Sequence, residues 1–228
     1  MSLVEIWGVD KIYQQGRVFL HALRKIDLSV EKGDFVAIAG PSGSGKTTLL
    51  NIIGGLDMPD HGVIRVDGNV YGDMTRSQMA ELRLRRIGFV FQAYNLLPVL
   101  SALENVEHVM QLQGVAKKER RDRAMSILDE VGLAGRYHNR PAELSGGQQQ
   151  RVAVARAIVS DPAIVLADEP TANLDSRTGE RLLQIMEKMN REKAVTFIFS
   201  THDQMVMSHA HRLIHIRDGK IADGQSGE

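Results

Sequence analysis

The residues with the most chemistry in them are Gly40-Pro41-Ser42-Gly43-Ser44-Gly45-Lys46-Thr47-Thr48. Gly40, Gly45, Lys46 and Thr47 fit the pattern G-x-x-x-x-G-K-[ST], a spacing suited to gripping phosphates. A triphosphate needs many donors in a small concavity, and successive backbone N–H groups supply them without side-chain bulk. Gly40, Gly43 and Gly45 let the main chain wrap closely, because no Cβ blocks unusual dihedrals. Lys46 adds a point charge for the outer phosphates, and the Thr47 hydroxyl can ligate Mg²⁺. Far along the chain, Asp168 and Glu169 end an apolar run. The first acid is placed to hold Mg²⁺, the second to orient or deprotonate a water. Leu144-Ser145-Gly146-Gly147-Gln148 opens a helix with a hydroxyl and two glycines, a second anion-type loop that one nucleotide at one site would not need. His202 follows another apolar run, at the edge where α/β sheets bind ligands.

These groups need a frame, and the hydrophobic pattern supplies one. Phe35-Val36-Ala37-Ile38-Ala39 is continuously apolar, as in a parallel strand buried on both faces, and it feeds the glycine-rich loop. Thr47 to Leu56 carries Leu49, Leu50, Ile52 and Ile53, so the loop opens a helix whose N-terminus faces the anion. Ile87 to Phe91 reads as a strand delivering Gln92, Ile164 to Ala167 as one delivering the two acids, and Val195 to Phe199 as one leading to His202. Leu3 to Tyr13 alternates, Val18 to Val30 reads as one or two strands, and Val63 to Val66 lies between turns. A small antiparallel sheet beside the nucleotide core is expected. Tyr13 ends its first strand, and the local pattern leaves two readings open. It is either an aromatic at a sheet edge or a ring that stacks on adenine, a contact of about 1–3 kcal/mol.

From Ala93 the composition changes. The apolar, proline-broken segment Tyr94 to Leu100 precedes a capping box at Ser101 and Glu104 and helices to about Gly132. Asp175 reads as the cap of a helix to about Asn190. The expected fold is α/β: a phosphate-loop core with a mainly parallel sheet, an N-terminal antiparallel β subdomain and an inserted α-helical subdomain. One domain covers 1–228, with core and β subdomain at about 1–92 and 143–228 and the helical subdomain at about 93–142.

Composition narrows the partners. Lys+Arg and Asp+Glu both number 28, so no net field favours nucleic acid or an anionic membrane. Lys117-Lys118-Glu119-Arg120-Arg121 reads as a solvated helix face. The absence of cysteine excludes disulfides and thiolate metal sites and suits a reducing compartment. His209, His211 and His215 come with no cysteine or carboxylate in the pattern to complete a metal set. Glu5 and Asp10 break any signal-peptide core, and no apolar run approaches membrane-spanning length. The expectation is a soluble, cytoplasmic protein whose membrane role needs a partner.

Taken in order, GPSGSGKTT, Gln92, LSGGQQQR, IVLADE, ANLD and His202 resemble the nucleotide-binding subunits of ABC transporters over essentially the whole chain. LSGGQ placed between the phosphate loop and the acidic strand is the most specific element. FVFQAYNLLPVLSALENV, with LSGGQQQRVAVARAIV, is similar to the branch of lipoprotein-releasing, macrolide-exporting and cell-division ATPase subunits.

The resemblance implies ATP and Mg²⁺ as cofactors, and hydrolysis to ADP and phosphate. It implies a homodimer formed head to tail on ATP. Ser145, Gly146, Gly147, Gln148 and Asp175 of one copy would then meet ATP held by Gly40 to Thr48 of the other. Asp168, Thr47 and Gln92 would hold Mg²⁺, Glu169 would be the catalytic carboxylate, and His202 would position the γ-phosphate and the attacking water. Gln92 would also belong to the catalytic centre, and Tyr13 falls at the family's adenine-stacking aromatic.

An integral membrane permease subunit would dock near Gln92 to Leu100 and the helical subdomain. That would hold the chain peripherally on the inner face of the cell membrane, with no nucleic acid involved. The use implied is export, or lipoprotein or periplasmic mechanotransmission. The alternative is a cell-division regulator that drives a membrane partner without moving cargo. A chromosome or DNA-repair ATPase of related type would need a long heptad insertion that this chain lacks.

Overall fold

A computed structural model describes residues 2–222. Residues 1 and 223–228, which the expected 1–228 domain includes, lie outside the described residues. In chain order the elements are β1 (Ser2–Gln15), β2 (Val18–Glu31), β3 (Phe35–Ala39), α1 (Lys46–Ile53), β4 (His61–Val66), β5 (Asn69–Val70), α2 (Arg76–Arg86) and β6 (Ile87–Val90). There follow α3 (Ala102–Leu112), α4 (Lys117–Glu130), α5 (Gly146–Ile158), β7 (Ile164–Asp168), α6 (Ser176–Lys193), β8 (Thr196–Thr201), α7 (Gln204–His209), β9 (Arg212–Arg217) and β10 (Lys220–Ile221).

The continuously apolar runs form the centre of a sheet ordered β10-β9-β3-β8-β7-β6. Its strands run parallel except for the β9–β10 pair. Parallel strands need cover on both faces, and their period of two divides the interior into two cores. Phe35, Ala37, Val165, Ala167, Phe197 and Phe199 face one core, filled from α3, α4, α5 and α6. Val36, Ile38, Ile164, Leu166 and Ile198 face the other, filled from α1 and the second sheet. That second sheet has the order β2-β1-β4-β5 and is antiparallel throughout.

Differences from the sequence expectation have local causes. Val18–Glu31 is a single strand, bent against β1 by several register shifts, where the sequence leaves one or two open. Helix α1 stops at Ile53 rather than Leu56, because Gly54 caps it and Gly55 turns left-handed at φ 62°. The short α7 has too few residues to show a period. The capping box at α3 forms as expected. The Glu104 N–H donates to Ser101 Oγ at 3.3 Å, and the Ser101 N–H to Glu104 Oε2 at 2.8 Å.

Because β3, β8, β7 and β6 run the same way, their C-terminal ends share one edge, where ligands bind in open α/β sheets. The edge carries Gly40, His202, Asp168 with Glu169, and Gln92.

Close contact between β6 and α5 gives a test of this packing. A Cβ on Gly88 would lie 2.2 Å from the Ala157 carbonyl oxygen, whereas one on Gly72 would meet nothing within 4 Å. Gly88→Ala should destabilise the protein by about 1–3 kcal/mol, the range for overpacking, and Gly72→Ala should leave the urea midpoint unchanged.

Candidate nucleotide site

The glycines of the phosphate loop are fixed by crowding. A Cβ on Gly40 would lie 2.1 Å from the Ile216 carbonyl oxygen of β9, and one on Gly45 would lie 2.6 Å from that of Ala22 on β2. Gly45 also has φ 106°, which side-chain-bearing residues rarely adopt. The Ser44 carbonyl accepts from the Gly219 N–H at 3.0 Å, tying the loop to the β9–β10 turn. Lys46, only 7% exposed, bends over its own loop and donates to the carbonyls of Gly40 at 2.9 Å and Pro41 at 3.0 Å. A phosphate in the loop would offer this ammonium stronger, charged acceptors. Pro41, Ser42 and Gly43 are exposed at the mouth, while the buried Ser44 hydroxyl has no partner among the described residues. Helix α1 begins at Lys46 with no acid in its first turn, so its positive end is left for an anion.

The acids meet the loop across the sheet. Thr47 Oγ1 donates to Asp168 Oδ1 at 3.2 Å. Hydroxyl and carboxylate oxygens at that separation are hard donors of the kind Mg²⁺ takes, so the residues fit the cation. Glu169 has a left-handed backbone at φ 45°, held by its N–H on the Ser200 carbonyl at 2.9 Å. One carboxylate oxygen accepts from Thr201 Oγ1 at 3.3 Å, and the other lies 2.6 Å from His202 Nδ1. The Glu169 side chain is 14% exposed and that of His202 is 70% exposed. The acid is therefore fixed from two sides, and the imidazole is free to turn toward solvent.

Gln92 is exposed just beyond β6, and its carbonyl accepts from Asn173 Nδ2 at 2.9 Å. Tyr13 is half-buried, its hydroxyl donating to Asp57 Oδ2 at 2.7 Å, and Thr48 is half-buried beside the loop. Asp175 caps α6, where hydrogen bonds from Thr178 hold its carboxyl below the ordinary range. Ser145 and Gln148 cap each other at the start of α5. Space is tight there: a Cβ on Gly147 would lie 2.3 Å from Thr178 Cγ2, and one on Gly146 would lie 2.8 Å from the Tyr94 hydroxyl, so those side chains would have to shift.

The fold thus gathers Gly40 to Thr48, Asp168, Glu169 and His202, but it does not bring Ser145 to Gln148 among them. Helix α5 packs on β6, three strand positions from β3, a lateral offset of about 14 Å at ordinary strand spacing.

Three polar side chains matter here to which the sequence reading assigns no role, although each lies inside a quoted stretch. Arg156 of α5 donates to the carbonyls of Tyr94, at 2.9 Å, and Asn95, two successive left-handed residues at φ 59° and 50°. Asn105, 1% exposed, accepts from the Leu97 N–H at 2.8 Å and donates to the carbonyls of Leu97, Leu100 and Ser101. Gln150, fully buried, donates to the Pro170 carbonyl at 2.8 Å, just after Glu169. For Asn105 the available signal was a polar residue inside the apolar stripe of α3, whereas Gln150 and Arg156 carried none.

Beside Arg156 lies a cavity of about 320 Å³, lined by Leu56, Leu84, Phe89, Phe91 and Val109 among others. Of the apolar segment Tyr94 to Leu100, Asn95 lines it, Leu96 packs against the helical core and Leu97 is 42% exposed. As for the histidines, His209 lies between Glu180 at 3.1 Å and Glu187 at 3.4 Å, His211 lies against Phe35, and His215 pairs with Ala39 in the sheet. Among the described residues no group of three or more His, Asp or Glu side chains is arranged to hold a metal ion.

Fold and site together define an α/β ATPase with its phosphate loop on a parallel-sheet edge and its signature on a separate helix. The family model described as ABC transporter matches residues 23–172, and the chain belongs to that family. It is an ABC-type ATPase that uses ATP with Mg²⁺. An uncharacterized ABC transporter ATP-binding protein of Thermotoga maritima is 49% identical over 221 residues, covering 97% of this chain and 93% of that one. The macrolide export ATP-binding/permease protein MacB of Syntrophobacter fumaroxidans is also 49% identical, over 97% of this chain. The chain spans only 31% of that relative's length. Among solved structures, the ATP-binding cassette MJ0796 of Methanocaldococcus jannaschii, described as a dimeric post-hydrolysis state bound to ADP and Pi, superposes with a TM-score of 0.90. It is 43% identical, with 97% of each chain covered.

The Arg156 contact yields a stability test. Arg156→Met strips two carbonyls of their donor and should cost about 1–3 kcal/mol, read from the urea midpoint. An unchanged midpoint would mean that the left-handed turn holds without it.

Proposed function

We propose that this ATPase works as a head-to-tail homodimer that closes on two ATP and drives a membrane permease partner. One observation carries the reading: Ser145 to Gln148 open helix α5, which packs on β6 three strands away from β3, and they are not gathered with the phosphate loop of their own chain, so their donors are free to meet a nucleotide held by a second copy. The dimeric state described for MJ0796 supports it.

On this reading Gly40 to Thr48 cradle the phosphates and the Tyr13 ring carries the base. Lys46 exchanges the carbonyls of Gly40 and Pro41 for phosphate oxygens. Thr47, Asp168 and Gln92 hold Mg²⁺, which when bound neutralises charge developing on the phosphates. Glu169, fixed by Thr201 and His202, takes a proton from water as that oxygen bonds the γ-phosphorus and the bond to the bridging oxygen breaks. His202 turns from Glu169 to the γ-phosphate. Ser145, Gly146, Gly147, Gln148 and Asp175 complete the site from the other copy. ATP makes contacts available only in the closed pair and so shifts the population toward it, and loss of phosphate reverses the shift.

Residues of about 93–142 form the lobe that moves with the partner. The cavity lined by Phe89, Phe91 and Val109 is its docking groove, which the segment Gln92 to Leu100 reaches at Asn95. The macrolide export relatives, whose names join ATP-binding and permease, support an export-type permease or one that transmits force to periplasmic components. Among the described residues no helix is long and apolar enough to cross a membrane, so the permease would hold the chain at the inner face.

Three measurements test these assignments. Glu169→Gln should keep ATP binding, lose turnover by about 10²–10⁴-fold, and accumulate as an ATP-bound dimer on size exclusion. Near-normal hydrolysis would remove Glu169 from the role of base. For the shared site, mixing Lys46→Ala with Ser145→Arg subunits should restore hydrolysis through one intact composite site. The doubly substituted homodimer should stay inactive, and no recovery in the mixture would count against sharing. For the groove, Phe91→Glu should abolish co-purification with the membrane permease partner while melting and basal hydrolysis persist. Leu97→Glu, outside the cavity, should not, and the opposite pattern would move the contact to the Leu97 side.

A further inference from the structure

We propose that Asp57, with Lys11, is a positioning residue that presets the Tyr13 ring as the platform for the nucleotide base. The inference rests on the reading of Tyr13 as the base-stacking aromatic. Tyr13 lies near the end of β1, paired with Leu20 of β2, where a half-exposed side chain would ordinarily sample several rotamers. Its hydroxyl instead donates to Asp57 Oδ2 at 2.7 Å. Asp57 Oδ1 accepts from Lys11 Nζ at 2.8 Å and from the Met58 N–H at 2.7 Å, so both carboxylate oxygens are used. Lys11 also donates to the Met58 carbonyl at 2.7 Å, and its ammonium lies 5.2 Å from the centre of the Tyr13 ring. Alongside, the Ile12 N–H donates to Asp60 Oδ2 at 2.6 Å, and the Asp60 N–H to the Asp10 carbonyl at 2.9 Å. The end of β1 is thereby fastened to the segment leaving α1.

Asp57 lies just past the end of α1, the helix whose N-terminus opens from the phosphate loop. One element therefore carries the cradle at its start and leads at its end into the residue that holds the ring, which ties base platform and phosphate cradle together.

Charge state agrees with this geometry. Burial opposes ionisation of Asp57, yet hydrogen bonds from Lys11, Tyr13 and Met58 hold its carboxyl below the ordinary range. Burial and the Asp57 carboxylate raise the phenol, which keeps its proton as the donor. A phenylalanine would serve equally well were the ring only packing. The partly buried hydroxyl is what the tether needs. Releasing the ring adds the cost of ordering one side chain on binding, about 3–10-fold in affinity.

The test uses the purified chain with ADP and pyrophosphate as probes, so that nothing is consumed and base and phosphate contributions separate. Calorimetry on Tyr13→Phe and Asp57→Ala should show ADP bound about 3–10-fold more weakly and pyrophosphate bound as in the parent. Asp57→Ala should raise the KM for ATP by the same factor with kcat retained. Tyr13→Ala should weaken ADP further still. If Tyr13→Ala leaves ADP affinity unchanged, the base-platform reading fails and takes this proposal with it. If Tyr13→Ala weakens ADP while Tyr13→Phe and Asp57→Ala do not, the platform stands and the tether is overturned. Equal weakening of ADP and pyrophosphate also overturns it, because Asp57 would then act on the cradle or the fold. Tyr13→Phe deletes the same bond without touching Lys11, so a folding defect in Asp57→Ala leaves the test intact.

Discussion

Backbone crowding where β3 ends is the constraint on which the rest of the site depends. Two carbonyls, from Ile216 on β9 and Ala22 on β2, leave no room for a side chain at Gly40 or Gly45. The loop is consequently boxed in by both sheets before any ligand arrives. A cradle held this way spends little conformational entropy on binding, because its backbone dihedrals are already restricted. The antiparallel sheet therefore has a role beyond carrying Tyr13: through Ala22 it forms one wall of the phosphate loop.

Helix α5 is the second organising element. At its first residues it carries the signature. In its second turn Gln150 grips the Pro170 carbonyl beside Glu169, and farther on Arg156 holds Tyr94 and Asn95 at the edge of the cavity. These contacts lie on one rigid body, so a displacement of α5 moves the signature, the turn after the acid and the groove rim together. The left-handed pair Tyr94 and Asn95 costs of order 1–3 kcal/mol per residue in backbone strain. Such a conformation persists only where its surroundings determine it, and here Arg156 grips both carbonyls of the pair.

Legibility in the sequence followed the strength of local patterns. The buried parallel strands announced themselves as unbroken apolar runs, and the phosphate loop, both acids and His202 fell at their ends because parallel strands share an edge. The capping box at Ser101 was readable from a hydroxyl three residues before Glu104, and the structure adds another at Ser145 and Gln148. What stayed hidden depends on distant chain segments meeting. Nothing near Tyr13 in sequence marks Asp57, which is 44 residues away. Gln150 and Arg156 look like solvated positions until α5 is packed between β6 and the helical lobe. The end of α1 was misplaced because Gly54 and Gly55 outweigh the apolar period that continues to Leu56.

Most polar groups of the site already pair with one another, the Ser44 hydroxyl excepted. Lys46 rests on two carbonyls, Thr47 on Asp168, Glu169 on His202, and Ser145 on Gln148. Net stabilisation from ligand is therefore a difference between partners exchanged rather than a sum of contacts made. For Lys46 the exchange is favourable, since charged phosphate oxygens replace neutral carbonyls. For the signature it is closer to even, since one neutral cap is traded for hydrogen bonds across an interface. On the proposed reading, most of the closing free energy then originates in the triphosphate's charge. Removing one phosphate withdraws the exchange that favoured closure, while the internal pairs stand ready to re-form. A site built from groups that satisfy one another at rest is thus suited to opening after every turnover.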